Sequence, residues 1–143
     1  IHGATGEIYG SSNSALINQG TIAADTSGKT ITIDAPTLTN QGMLQASNGG
    51  TLSISGSNFD NQGTLKAIGG TLVISGSVTI NGSNQLTSTT LGTIKITGNL
   101  LGNVQNPILY RPQGSLVLNG SGTATQPQML EVMGQDLGLV VGL

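Results

Sequence analysis

Six carboxylates, four permanent cations, one histidine and two tyrosines are the side chains with which this chain of 143 residues could do acid, base or ligand chemistry. Two carboxylates a few ångströms apart could split a glycosidic bond, one as acid and one as base or nucleophile. Several oxygens converging on one point could hold Ca2+. Glu7, Asp25, Asp34, Asp60, Glu131 and Asp136 show neither pattern in their spacing. The nine-residue calcium repeat GGxGxDxUx is absent, because neither Gly49-Gly50 nor Gly69-Gly70 is followed by the required Asp. His2 has no Ser, Cys or carboxylate fixed beside it by the spacing, so no nucleophile–base pair is expected. Cysteine is missing, which removes disulfides and thiolate metal sites. The expectation is a chain that is not an enzyme and carries no catalytic residue, metal or cofactor.

The cations exclude another class. Lys29, Lys66, Lys95 and Arg111 are scattered, and so few charges cannot track a phosphate backbone; no nucleic-acid partner is expected. Arg111, between Tyr110 and Pro112, is the best single candidate for a surface contact, through guanidinium stacking or carboxylate recognition, although a solvated side chain over an apolar strand is the simpler account. No apolar run approaches the roughly 20 residues of a membrane span, so no membrane insertion is expected. No charged-then-apolar leader opens the chain, which reads as an internal fragment or as a chain whose export signal has been removed.

Any site must be held by a fold that does without large rings. The chain has 23 Gly, one Phe, no Trp and only 7% charged residues, yet Ile, Leu and Val recur along its length with a net charge of −2. Disorder goes with high net charge and few aliphatics, so the chain is expected to fold around a narrow aliphatic interior. The repeat says which. Asn18-Gln19-Gly20 recurs as Asn40-Gln41-Gly42 and Asn61-Gln62-Gly63, at steps of about 22 and 21 residues. Apolar residues align in columns: Ile17, Leu38, Phe59, Ile80 and Leu101; then Ile22, Leu44, Leu65, Leu86 and Ile108, with small partners Ala24, Ala46, Ala67 and Ser88. A double column holds Ile31/Ile33, Leu52/Ile54, Leu72/Ile74, Ile94/Ile96 and Leu116/Leu118.

Each unit contains three short segments of period-two alternation separated by Gly, Asn and Ser. The predicted class is all-β, a parallel β-helix (solenoid) with three short strands per coil of about 21 residues over 1–120. Residues 121–143 are expected to form a linker and a short irregular or helical C-terminal tail, a cap or a continuation into further sequence. Leucine-rich repeats have similar length but need a helical segment that Gly70-Thr71-Leu72-Val73-Ile74-Ser75-Gly76 does not offer. Asn18, Asn40 and Asn61 are read as a structural ladder of stacked amides, and the Gly two residues after each as a corner residue with positive φ. In this register Asp34 aligns with Ser55, Ser75 and Thr97, and Asp60 with Thr39, so no acid stacks on an acid. A solenoid also has two ends, with Ile8 and Ile17 expected at one cross-section and Leu116 and Leu118 at the other.

The phrases NQG-T-L-x-A and GG-T-L-x-I-x-G, over about residues 16 to 120, resemble the β-helical repeats of giant bacterial surface and exported proteins, the autotransporter-passenger and filamentous-haemagglutinin-like adhesins. Met129-Leu130-Glu131-Val132-Met133-Gly134-Gln135-Asp136-Leu137-Gly138 looks like a phrase that follows such repeats in giant exported proteins of planctomycetes. The resemblance implies an extracellular or cell-surface location in a bacterium and a role in adhesion or matrix building. Pectate lyases and rhamnogalacturonan-type hydrolases are similar in fold alone, and fold does not supply their carboxylate groove. The expected function is a structural module of an adhesin or fibre, self-associating end to end or continuing into flanking coils. The alternative is a flat-face binding module for extracellular glycan or ice through an outward array of Thr30, Thr51, Thr71 and Thr93, followed by Ser115. Its neighbouring column, Thr32, Ser53, Val73, Lys95 and Val117, breaks the array. Ordinary β propensity accounts for surface Thr equally well.

Overall fold

The computed structural model describes residues 1–80, 86–89, 91–102, 110–112 and 115–118. The chain winds as stacked coils of three strands. The first coil has β1 (His2–Gly3), β2 (Gly6–Tyr9) and β3 (Ala15–Asn18); the second β4 (Thr21–Ala24), β5 (Thr30–Asp34) and β6 (Thr37–Asn40). The third has β7 (Met43–Ser47), β8 (Thr51–Ser55) and β9 (Asn58–Asn61), and the fourth β10 (Thr64–Ile68), β11 (Thr71–Ile74) and β12 (Ser77–Ile80). Then come β13 (Leu86–Ser88), β14 (Thr93–Ile96) and β15 (Leu100–Gly102), and finally β16 (Tyr110–Pro112) and β17 (Ser115–Leu118). Corresponding strands pair in parallel to build three sheets: sheet 1 is β1-β4-β7-β10-β13-β16, sheet 2 is β2-β5-β8-β11-β14-β17 and sheet 3 is β3-β6-β9-β12-β15. The protein is a parallel β-solenoid, with no helix among the described residues.

Alternation within each strand decides what fills the interior. In β8, Leu52 and Ile54 point inward and are buried while Thr51, Ser53 and Ser55 face out, and the same pattern holds along β5, β11 and β14. Coil after coil, Ile31, Leu52, Leu72, Ile94 and Leu116 occupy one register position, and Ile33, Ile54, Ile74, Ile96 and Leu118 the next. Sheet 1 contributes Ile22, Leu44, Leu65 and Leu86 with Ala24, Ala46, Ala67 and Ser88. The next strand places Tyr110 on Leu86, so Tyr110 holds the position assigned from spacing to Ile108. The irregular segment 103–107, Ile108, and residues 119–143 with the expected linker and tail lie outside the described residues.

Sheet 3 departs from the predicted column at three of its five positions, by one residue at Ile17 and Leu101 and by two at Ile80. Its inward column is Leu16, Leu38, Phe59 and Val78, with Leu100 in register on the next strand, in place of Ile17, Leu38, Phe59, Ile80 and Leu101. Ala15-Leu16-Ile17-Asn18 offers an apolar residue to both faces, and the parity is set by Asn18, which is the last residue of the strand and points inward. Leu16 therefore packs on the core and Ile17 faces out, 59% exposed. The apolar cross-section at that end is accordingly Ile8 with Leu16, not Ile8 with Ile17.

The corners also differ from expectation in their cause. Gly20, Gly42 and Gly63 do not have positive φ; among the described residues positive φ falls at Gly3, the last residue of β1, and at Gly28, Asn48, Gly49 and Gly69, between sheets 1 and 2. The glycine of each NQG is needed for closeness instead. A Cβ on Gly42 would run into the carbonyl oxygen of Gly20, and one on Gly63 into that of Gly42, because consecutive coils meet at this corner backbone to backbone.

Candidate functional site

The most organised polar assembly lies at the NQG corner, between sheets 3 and 1. Asn18, Asn40 and Asn61 stack in one register column. Asn18 Nδ2 donates to Asn40 Oδ1 at 2.7 Å, and Asn40 Nδ2 to Asn61 Oδ1 at 2.7 Å. Each amide also reaches the corner backbone: Asn18 Nδ2 lies 3.1 Å from the Gly20 carbonyl and 3.2 Å from that of Met43, and Asn61 Nδ2 lies 3.0 Å from the Gly63 carbonyl. The backbone repeats the motif, since the Asn18 carbonyl accepts from the N–H groups of Gln41 and Gly42 and the Asn40 carbonyl from those of Gln62 and Gly63. A buried amide needs such partners, and Asn40 and Asn61 are fully buried. At the next coil the column holds Ile80 opposite Asn61, an apolar residue at the same position.

A second ladder runs outside the first. Gln19 Nε2 donates to Gln41 Oε1 at 3.1 Å and Gln41 Nε2 to Gln62 Oε1 at 3.3 Å, all on exposed side chains. Gln62 Nε2 in turn donates to Asp60 Oδ2 at 2.7 Å. The middle letter of the NQG motif carries the signal for this ladder, beside the Asn ladder expected from the first. Asp60 Oδ1 is enclosed and accepts no hydrogen bond among the described residues.

Among the described residues, the side chains of Glu7, Asp34, Asp60 and Lys66 occupy separate positions on the outer surface. Asp34 faces out from β5 opposite Ser55, and Asp60 faces out from β9 between Thr39 and Thr79. Glu7 stands in register with Thr32, and Lys66 with Gln45 and Thr87. Arg111 occupies β16 in register with Thr87. His2 is a correction to the expectation of an isolated ring: pairing of β1 with β4 brings its Nδ1 to 3.4 Å from Asp25 Oδ2. With 81% of the His2 side chain exposed, water screens the contact and it holds little energy. Among the described residues no group of three or more His, Cys, Asp or Glu could hold a metal ion, and no helix is long and apolar enough to cross a membrane.

The outer face of sheet 2 carries the threonine column. Thr30, Thr51, Thr71, Thr93 and Ser115 are consecutive partners along the axis, and Glu7, Thr32, Ser53, Val73, Lys95 and Val117 form the column beside them. Glu131 and Asp136 lie outside the described residues. The chain matches no protein-family model, and no curated protein or solved structure is significantly similar to it.

Proposed function

We propose that this chain is a structural segment of a bacterial cell-surface or extracellular fibre or adhesin, a rod whose coils continue end to end along one polypeptide or across copies. The observation that carries the reading is axial continuity of hydrogen bonding. Three parallel sheets and two amide ladders all direct their donors and acceptors along the stack, so each coil templates the next. Such an object is a spacer whose length is set by the number of coils, at about 4.8 Å each.

The surface chemistry supports the same reading. Hydroxyls and amides dominate the outward positions, and the carboxylates stand on different columns, an arrangement that suits a passive scaffold better than an acid–base centre. The resemblance of the repeated phrases to those of giant exported adhesins supports the proposed location. Antibodies raised to the folded chain test it on the source cells. Labelling of intact cells, with extended rods in shed material by electron microscopy, is the expected result. Label that appears only after permeabilisation would overturn the proposal.

A further inference from the structure

The outer face of sheet 2 carries a charge pattern that is complementary to itself. In its middle column, Glu7 of the first coil and Lys95 of the fifth are the ionised residues, and Thr32, Ser53 and Val73 lie between them. Both charged side chains are exposed, and neither makes an ion pair among the described residues. Ser53 is the midpoint: Glu7 is two strands away on one side and Lys95 two strands away on the other. A two-fold axis lying along the β8 strand direction above Ser53 reverses the solenoid axis and leaves each column facing its own copy. It sets Glu7 against Lys95 of the second copy and Lys95 against that copy's Glu7, with Ser53 against Ser53 and Thr51 against Thr51. Asp34 then meets Ser75, so no like charges oppose.

We propose that this face seats a second copy of the chain, antiparallel, with Ser53 on the two-fold axis. The parallel alternative, with the axis along the solenoid, would set Glu7 on Glu7 and Lys95 on Lys95, and like-charge juxtaposition selects against it. The isologous contact closes as a pair. Hydroxyls of Thr30, Thr51, Thr71, Ser53 and Ser55 line the remainder, a polar and hydrated surface. The face measures on the order of 400 Å² per copy from about five strand spacings and five residues of strand rise, which places the contact among weak associations and makes its charges decisive. The inference does not depend on where the rod resides.

The absence of cysteine from the chain makes the test direct. Ser53→Cys places identical thiols on the axis, whereas Glu7→Cys alone places them about 19 Å apart, at opposite ends of the paired face. Under mild oxidation Ser53→Cys is expected to form disulfide dimers at least about tenfold faster than Glu7→Cys, and a mixture of Glu7→Cys with Lys95→Cys to form the heterodimer. In sedimentation at high protein concentration, Glu7→Lys and Lys95→Glu should each weaken pairing about tenfold or more. The double exchange Glu7→Lys/Lys95→Glu should restore it, and about 0.5 M salt should abolish it. All three positions face outward on strands, and circular dichroism checks that each variant keeps the fold. Equal cross-linking of Ser53→Cys and Glu7→Cys, or a double exchange no better than its singles, would overturn the proposal. So would a chain that stays monomeric yet is retained on an insoluble glycan through Thr51 and Thr71.

Discussion

The side-chain nitrogen of Asn40 lies 2.7 Å from the side-chain oxygen of Asn61, one coil away and fully enclosed, while Gln41 Nε2 and Gln62 Oε1, one residue further along, make the corresponding contact at 3.3 Å in open solvent. The two ladders share geometry and differ in environment. A buried amide that loses its partner bears the full desolvation penalty, whereas an exposed one exchanges its partner for water. The same motif thus contains a stabilising ladder and a nearly neutral one.

Asn40→Ala should therefore weaken folding by roughly 1 to 3 kcal/mol, because Asn18 Nδ2 loses its shortest acceptor and Asn61 Oδ1 loses this donor. Gln41→Ala should stay within about 0.5 kcal/mol. Chemical denaturation of both variants checks the ordering. Equal losses would show that burial does not separate the ladders.

Leu65 and Lys66 are neighbours on β10 that face opposite ways, the first fully buried and the second partly exposed. Leu65→Asp should unfold the chain, since a carboxylate in an aliphatic interior one side chain deep has no counter-charge and costs several kcal/mol. Lys66→Ala should change stability by no more than about 0.5 kcal/mol. Thermal melting distinguishes them.

Two glycines should respond to Ala for different reasons. At Gly42 the added Cβ meets the backbone carbonyl of Gly20, which cannot rotate away while it accepts from Met43, so Gly42→Ala should cost about 3 kcal/mol. At Gly28 the surrounding space is open and only the left-handed φ of 67° is penalised, at about 1 kcal/mol. Denaturation midpoints should rank Gly42→Ala well below Gly28→Ala.

Asn48-Gly49 is the dipeptide most prone to deamidation in solution, because the unhindered Gly nitrogen attacks the Asn side-chain carbonyl and expels ammonia. Here the Gly49 N–H donates to the Gly69 carbonyl at 2.6 Å, and Gly28 N–H donates to the Gly49 carbonyl at 3.0 Å. The nucleophile is engaged along the axis. Asn48 should accordingly deamidate several-fold more slowly in the folded chain than in a peptide of the same sequence. Mass spectrometry of material aged at mildly alkaline pH measures the ratio, and equal rates would show that the corner opens freely.

The sequence by itself determined the architecture. Alternation of two within segments such as Thr51-Leu52-Ser53-Ile54-Ser55, repeated near every 21 residues, leaves no way to bury Leu52, Leu72 and Ile94 together except by stacking identical strands in parallel. Sheet 2, whose apolar positions are separated by polar ones, was legible residue by residue for that reason. Sheet 3 was not, because Leu16 and Ile17 are adjacent and either could face inward; the parity was decided by Asn18 entering the interior to meet Asn40. The positions of the ladders could be read from the motif, but the solvent exposure that distinguishes Asn from Gln could not. The pairing of His2 with Asp25 depends on how β1 lies across β4, a contact between chain segments that no repeat spacing encodes. The repeat already set Ser53 and Lys95 in one column, but only the tertiary structure added Glu7 to it with Ser53 midway, because Gly6–Tyr9 precedes the first NQG and its register is fixed by the pairing of β2 with β5.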